Sequence, residues 1–108
     1  MPAQPASFLS GTLDLIVLQL LGREPTNGYD LMLRIQATTR EALSVPTGSL
    51  YPALYRLEQR GLIKAAWEST ANGRRAKVYS LTAAGRKRLA GQREAWQRFS
   101  GALAAILQ

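Results

Sequence analysis

The apolar residues change their period at Gly61, and that change limits the folds open to the chain. Before it they recur at helical spacing. Leu13, Ile16, Val17, Leu20 and Leu21 fall at i, i+3, i+4, i+7 and i+8, as on a helix with one buried face; Ser10 or Thr12 can cap it and Gly22 can end it. Pro25, Thr26, Asn27 and Gly28 form a turn, and Tyr29, Met32, Leu33 and Gln36 mark a second helix running to about Thr39. Glu41 to Pro46 then leads into a third helix with the stripe Leu50, Ala53, Leu54 and Leu57, stopped at Gly61. Pro52 places the start of that helix near Gly48 or Ser49, because proline lacks an N–H and suits the first turn. Ser49 is then at or beside the N-cap.

Beyond Gly61 the pattern is extended. Leu62 to Ser69 and Arg75 to Leu81 are strand-like runs separated by Thr70, Ala71, Asn72 and Gly73. Asn-Gly is a strong hairpin signal because both residues accept positive φ. Tyr79 and Leu81 read as hairpin residues packed on the core. Thr82 caps a last helix of about 25 residues, roughly 37 Å long, that runs to the end of the chain. The order predicts a mainly α fold with a small β-hairpin: a winged helix-turn-helix followed by a long C-terminal helix. The expected organisation is a poorly ordered arm over 1–7, a winged-helix domain over 8–82 and a dimerisation helix over 83–108.

Composition narrows the function. The chain of 108 residues has no Cys and no His, which removes disulfides, thiol nucleophiles, the usual zinc ligands and the commonest general base. Asp14, Glu24, Glu58 and Glu94 show no pairing that suggests acid-base catalysis and are more simply ion-paired or solubilising. An enzyme, a metal site and a cofactor are therefore not expected. Leu13 to Leu21 is far too short to span a membrane and no signal peptide is evident, so a cytoplasmic protein is the expectation.

Fourteen Lys and Arg against seven Asp and Glu leave a net charge of +7, which suits a polyanionic partner. Residues 1–73 are electrically balanced. The whole excess lies between Arg74 and Arg98, in the hairpin and the last helix. Arg74, Arg75 and Lys77 just beyond the Asn72-Gly73 turn fit a phosphate backbone, although basic residues on an edge strand also block sheet-to-sheet pairing. On the third helix Ser49, Tyr51, Pro52, Tyr55 and Arg56 share the outward face, and their hydroxyls and guanidinium can meet phosphates or base edges in a major groove. Tyr51 or Tyr55 could equally pack on a neighbouring element.

The last helix carries Leu89, Trp96 and Leu103 at seven-residue intervals, with Phe99 and Ile106 between, the spacing of a coiled-coil seam. It either folds back along its own domain or pairs with a second copy, and its length favours a homodimer. Trp96 then has two readings, an interface anchor or the wall of a pocket for a small planar aromatic effector. Arg86, Lys87, Arg88, Arg93 and Arg98 read as a solvated face.

The motifs Gly11-Thr12-Leu13-Asp14-Leu15, Asn27-Gly28-Tyr29-Asp30-Leu31, Gly48-Ser49-Leu50-Tyr51-Pro52-Ala53-Leu54-Tyr55-Arg56-Leu57-Glu58, Gly61-Leu62-Ile63 and Arg74 to Gly85 resemble the PadR family of bacterial transcriptional regulators. The chain is similar to the short subgroup with a single C-terminal helix, and its Trp67 strand and wing look like a subgroup found in acidobacterial genomes. The resemblance implies a homodimeric winged-helix repressor on a palindromic double-stranded DNA operator, with Ser49, Tyr51 and Pro52 touching DNA from the recognition helix and Lys77 from the wing. It also implies release by a small-molecule effector, whose identity does not carry over. Asn27 stands where the family frequently has His. Two other uses of the same fold remain open: a protein-interaction winged helix employing Tyr51 and Tyr55, and an aromatic-drug-binding protein employing the dimer cleft at Trp96.

Overall fold

The computed structural model describes residues 6–108, with side chains from Gly11 onward; the part of the expected arm over 1–5 lies outside the described residues, and Ala6 and Ser7 already belong to the first helix. The order is α1 (Ala6–Arg23), β1 (Thr26–Asn27), α2 (Gly28–Thr38), α3 (Thr47–Gln59), β2 (Ile63–Ser69), β3 (Arg75–Leu81) and α4 (Ala83–Leu107). The fold is mostly helical with a small antiparallel sheet, as expected of a winged helix with an added C-terminal helix.

Helix α1 is longer than its apolar stripe suggests. Ser10 and Thr12 lie inside it rather than capping it, and Gly22 does not end it. Gly22 instead makes room: a Cβ there would sit 3.2 Å from Leu81 Cδ1 and 3.4 Å from Leu89 Cδ2. Helix α2 also buries a different face from the one its marked residues trace. Leu31 and Ile35 are in the core and Met32 of the expected stripe packs against it, whereas Tyr29 and Leu33 are exposed. The two stripes are about 130° apart on one short helix, and the docking of its N-terminus selects between them. That docking comes from β1. Thr26 and Asn27, expected as a plain turn, pair with Tyr79 and Val78, so the sheet has three strands in the order β1-β3-β2. Asn27 then caps α2, its Oδ1 accepting from the Asp30 N–H at 2.8 Å.

The stripe of α3 is as expected: Leu50, Ala53, Leu54 and Leu57 are buried. Its start is not. Pro46 is the N-cap and Thr47 the first helical residue, so Ser49 is already inside the helix and Pro52 lies in its second turn. Pro52 deprives the Gly48 carbonyl of its helical donor, but Gly48 is exposed and its carbonyl is open to water. At the other end Gly61 takes φ +73°. The Leu62 N–H donates to Leu57 O and the Gly61 N–H to Glu58 O, both at 3.0 Å, a Schellman closure that turns the chain into β2.

In the hairpin only Gly73 enters the left-handed region, at φ +77°, and Asn72 does not. The Thr70 N–H donates to Arg74 O at 2.7 Å and the Gly73 N–H to Thr70 O at 3.0 Å. The turn is thus a longer loop closed by one left-handed glycine, not a two-residue turn with two positive φ angles. Thr82 caps α4 as expected, accepting from the Gly85 N–H at 3.0 Å and donating to Gly61 O at 2.7 Å. Val17, Leu18, Leu21, Leu31, Ile35, Leu50, Leu54, Leu57 and Ile63 form the centre of the core, with Tyr79 and Leu81 at its edge.

Leu89, grouped with the seam of the last helix, packs on this core instead; it sits one turn after Gly85, where α4 is still against the domain. Further along, every residue from Arg93 to Gln108 except Ser100 is exposed. No helix among the described residues is long and apolar enough to cross a membrane.

Candidate nucleic-acid interface

The exposed side of α3 divides into a centre and two flanks. At about 100° per residue, Gly48, Pro52 and Tyr55 occupy the centre, Tyr51 one flank, and Ser49 and Arg56 the other. Tyr55 is 64% exposed and Tyr51 44%. Tyr51 packs on a neighbouring element, one of the two readings open from sequence: its ring lies on the backbone of Gly28 at the start of α2 and its edge remains in solvent. A Cβ on Gly28 would fall 2.7 Å from Tyr51 Cε1, 2.8 Å from its hydroxyl and 2.9 Å from Cζ.

Arg56 turns away from the centre. Its Nη2 lies 3.4 Å from Oδ1 of Asp14 on α1, with the Asp14 side chain only 10% exposed. The guanidinium therefore neutralises an acid that would otherwise face the core alone, a task that the expectation of a DNA contact did not include. Ser49 borders a groove with Thr12, Leu13 and Ile16 of α1 and Leu43 to Pro46 of the connector.

Of the wing cations, Arg74 and Arg75 lie at the tip and Lys77 lies further in. The pleat of β3 puts Arg75, Lys77 and Tyr79 on one face, spaced from the turn inward to the core. Arg74 is in the turn. The Arg75 guanidinium stacks 5.5 Å from the centre of the Trp67 ring, a cation–π contact that holds the side chain along the sheet. Lys77 reaches back to α3, its Nζ 3.4 Å from Glu58 Oε1 and 5.5 Å from the centre of the Tyr79 ring. Tyr79 and then Glu58 hold the Lys77 ammonium above its ordinary pKa, against the opposing effect of burial. Burial, partly offset by Lys77, raises the pKa of the Tyr79 phenol.

Tyr51, Tyr29, Trp67, Lys77 and Tyr79 thereby line one cleft between the recognition helix, the start of α2 and the wing, about 410 Å³ in volume. Sequence reasoning did not pick out Trp67, Glu58 or Gly28 as parts of this site. The pairing of Trp67 with Lys77 across the hairpin follows from register, and a strand alignment through Gly73 would have found it; nothing local marks the other two.

Away from this cleft, Trp96 and Phe99 make a tilted ring pair with centroids 5.9 Å apart. They line a groove of about 370 Å³ with Gly11, Thr12, Leu15, Gln92 and Ala95. Leu103 and Ile106 continue the exposed apolar line toward the chain end.

A family model described as the transcriptional regulator PadR-like family matches residues 17–91. A transcriptional regulator of Mycobacterium tuberculosis is 37% identical over 65 residues, 60% of this chain and 60% of that protein. The chain thus aligns with less than two thirds of this curated relative. Among solved structures, a transcriptional regulator from Clostridium thermocellum superposes with a TM-score of 0.85 at 25% identity, covering 98% of this chain and 100% of the other. A PadR-like transcriptional regulator from Bacillus cereus superposes with a TM-score of 0.82 at 26% identity, covering 95% and 98%. With the recognition helix, the wing and the trailing helix in place and a family match over most of its length, the chain belongs to the PadR-like family of transcriptional regulators, a family of regulators and not of enzymes.

Proposed function

We propose that the protein is a homodimeric cytoplasmic repressor that binds a palindromic duplex operator and is released by a small-molecule effector. The observation that carries the DNA-binding part is the single cleft shared by α3 and the wing, with Tyr51 on one side and Trp67, Lys77 and Tyr79 on the other. Helix α3 fits a major groove, where Tyr51, Pro52, Tyr55 and Ser49 meet base edges and phosphates; Arg74, Arg75 and Lys77 supply general attraction to the flanking backbone. The unit over 8–82 is the DNA-binding part and 83–108 the dimerisation helix. The exposed line Trp96, Phe99, Leu103 and Ile106 supports pairing of two α4 helices, and the groove beside Trp96 supports a planar aromatic effector. Such a ligand acts only by binding one arrangement of the dimer better than another.

Selection of a random duplex library on the purified protein tests this reading. It should enrich a two-fold symmetric sequence whose half-sites lie about 10 base pairs apart or a multiple of that. Affinity should fall steeply with salt, the slope of log K reporting the phosphates neutralised. Absence of any enriched sequence, or binding of a protein partner unaffected by competitor DNA, would instead favour a protein-interaction winged helix. For the effector, a Trp67→Phe variant isolates the emission of Trp96; quenching by acridine together with release of the operator supports the repressor reading, and quenching by a protein that binds no DNA supports a drug-binding protein.

A further inference from the structure

We propose that Gly28 is a positioning residue for sequence recognition: it provides the flat backbone surface on which the Tyr51 ring is seated, and so determines where that ring meets the DNA. The inference rests on the DNA-binding reading above. Nothing in the backbone calls for glycine at this position. Gly28 is the first residue of α2 and is not among the glycines with positive φ, which are Gly61 and Gly73. What it lacks is space. An added Cβ would be under 3.0 Å from three atoms of one tyrosine side chain, and that side chain belongs to the recognition helix.

The surface is itself fixed in relation to the wing. Asn27, immediately before Gly28, pairs with Val78 of β3. Its side chain both accepts from the Asp30 N–H and donates to Asp30 Oδ2 at 3.0 Å. The start of α2 is therefore held to the sheet on one side and capped on the other. Tyr51, resting on it, has its location set by the wing as well as by α3. Tyr55, one turn later and 64% exposed, extends into solvent.

A methyl group at residue 28 must move the Tyr51 ring by turning its χ1 or by shifting α3 outward, and either displaces the group facing the base edges. Gly→Ala at an ordinary helical position favours the helix, so loss of binding would not follow from a weaker α2. The effect on DNA binding should pass through Tyr51 alone.

The test is a double-mutant cycle on the full-length protein, with the selected operator and a scrambled duplex of equal length. Gly28→Ala should weaken operator binding about tenfold to a hundredfold, the scale of one good base contact. Affinity for the scrambled duplex and its salt slope should stay the same, which general structural damage would not allow. In the Tyr51→Ala background, adding Gly28→Ala should change operator affinity less than about twofold, because the group nearest the added methyl is gone. Equal penalties in both backgrounds overturn the proposal, as does full operator affinity in Gly28→Ala. If Gly28→Ala alone does not fold, Tyr51→Ala and the double variant still decide: equal affinities support the proposal and a weaker double variant overturns it. A wild-type protein that binds no duplex would remove the DNA-binding reading itself, an outcome distinct from a wild type that binds and a Gly28→Ala variant that binds as well.

Discussion

The Lys77 ammonium of the wing lies 3.4 Å from the Glu58 carboxylate of the recognition helix, so one of the wing cations is already engaged before any nucleic acid arrives. The pair joins the two elements that border the cleft between α3 and the wing. A carboxylate at this place repels phosphates and partly cancels the attraction of the wing. Both side chains are about a third exposed, and such a pair contributes roughly 0–1 kcal/mol to stability.

Glu58→Gln should therefore leave the melting temperature nearly unchanged while freeing Lys77 for the backbone. Affinity for scrambled duplex should rise, and the magnitude of its salt slope should increase by about 0.9, one added phosphate contact. Fluorescence anisotropy across a salt series measures both quantities; an unchanged slope would mean that Lys77 never reaches a phosphate.

Arg56 and Asp14 make the opposite kind of pair, with the acid nearly buried. Removing the guanidinium strands a carboxylate at the edge of the core. Arg56→Ala should destabilise the protein by about 1–3 kcal/mol, and Asp14→Asn, which removes the charge and keeps the shape, by less. Urea unfolding of the two variants checks the order. If Arg56 serves DNA alone, Arg56→Ala will unfold at the same urea concentration as the wild type.

Gly85 closes the junction of the wing with α4. A Cβ there would collide with the backbone carbonyl of Leu62, and Leu81 Cδ2 would be 3.2 Å away. Since backbone cannot move aside as a flexible side chain can, Gly85→Ala should cost about 1–3 kcal/mol or more. Thr82→Ala, which removes the cap of the same helix, should cost about 1 kcal/mol. Thermal melts compare the two.

Alkaline pH should weaken the fold through Tyr79. Burial raises the phenol pKa above its ordinary value of 10.0, so the folded chain retains a proton that the unfolded chain releases. The stability is fully present below pH 10.0 and is lost as pH rises through the higher folded value. Tyr79→Phe should flatten this decline in melts recorded across the alkaline range; an equally steep decline in the variant would assign it to other groups.

The exposed line on α4 gives the test of assembly. Phe99→Glu together with Leu103→Glu should yield a monomer by light scattering with the winged-helix part still folded, because neither residue belongs to the core of that part. Operator affinity should fall with the loss of the second half-site.

Much of the fold was legible because its signals are local. The stripe of α3, the glycine after its end, the hairpin around Gly73 and the Thr82 cap each depend on residues a few positions apart, and each stands in the structure. The start of α3 lies earlier than Pro52 alone implies, because an exposed Gly48 carbonyl makes proline acceptable in the second turn. The inward face of α2 was legible only at Met32, which packs against the core, because two apolar stripes lie on one short helix.

The amino-acid sequence by itself determined the order of the elements, the residues exposed on α3, the basic wing and the apolar line of α4, since period, caps and charge are properties of neighbours along the chain. Only the tertiary structure decided what those residues touch. It committed Arg56 to Asp14 and Lys77 to Glu58, added β1 to the sheet, packed Leu89 against the core and set Tyr51 on Gly28. Each of these joins positions that lie far apart in the chain, where short-range periodicity carries no information and packing alone determines the partner.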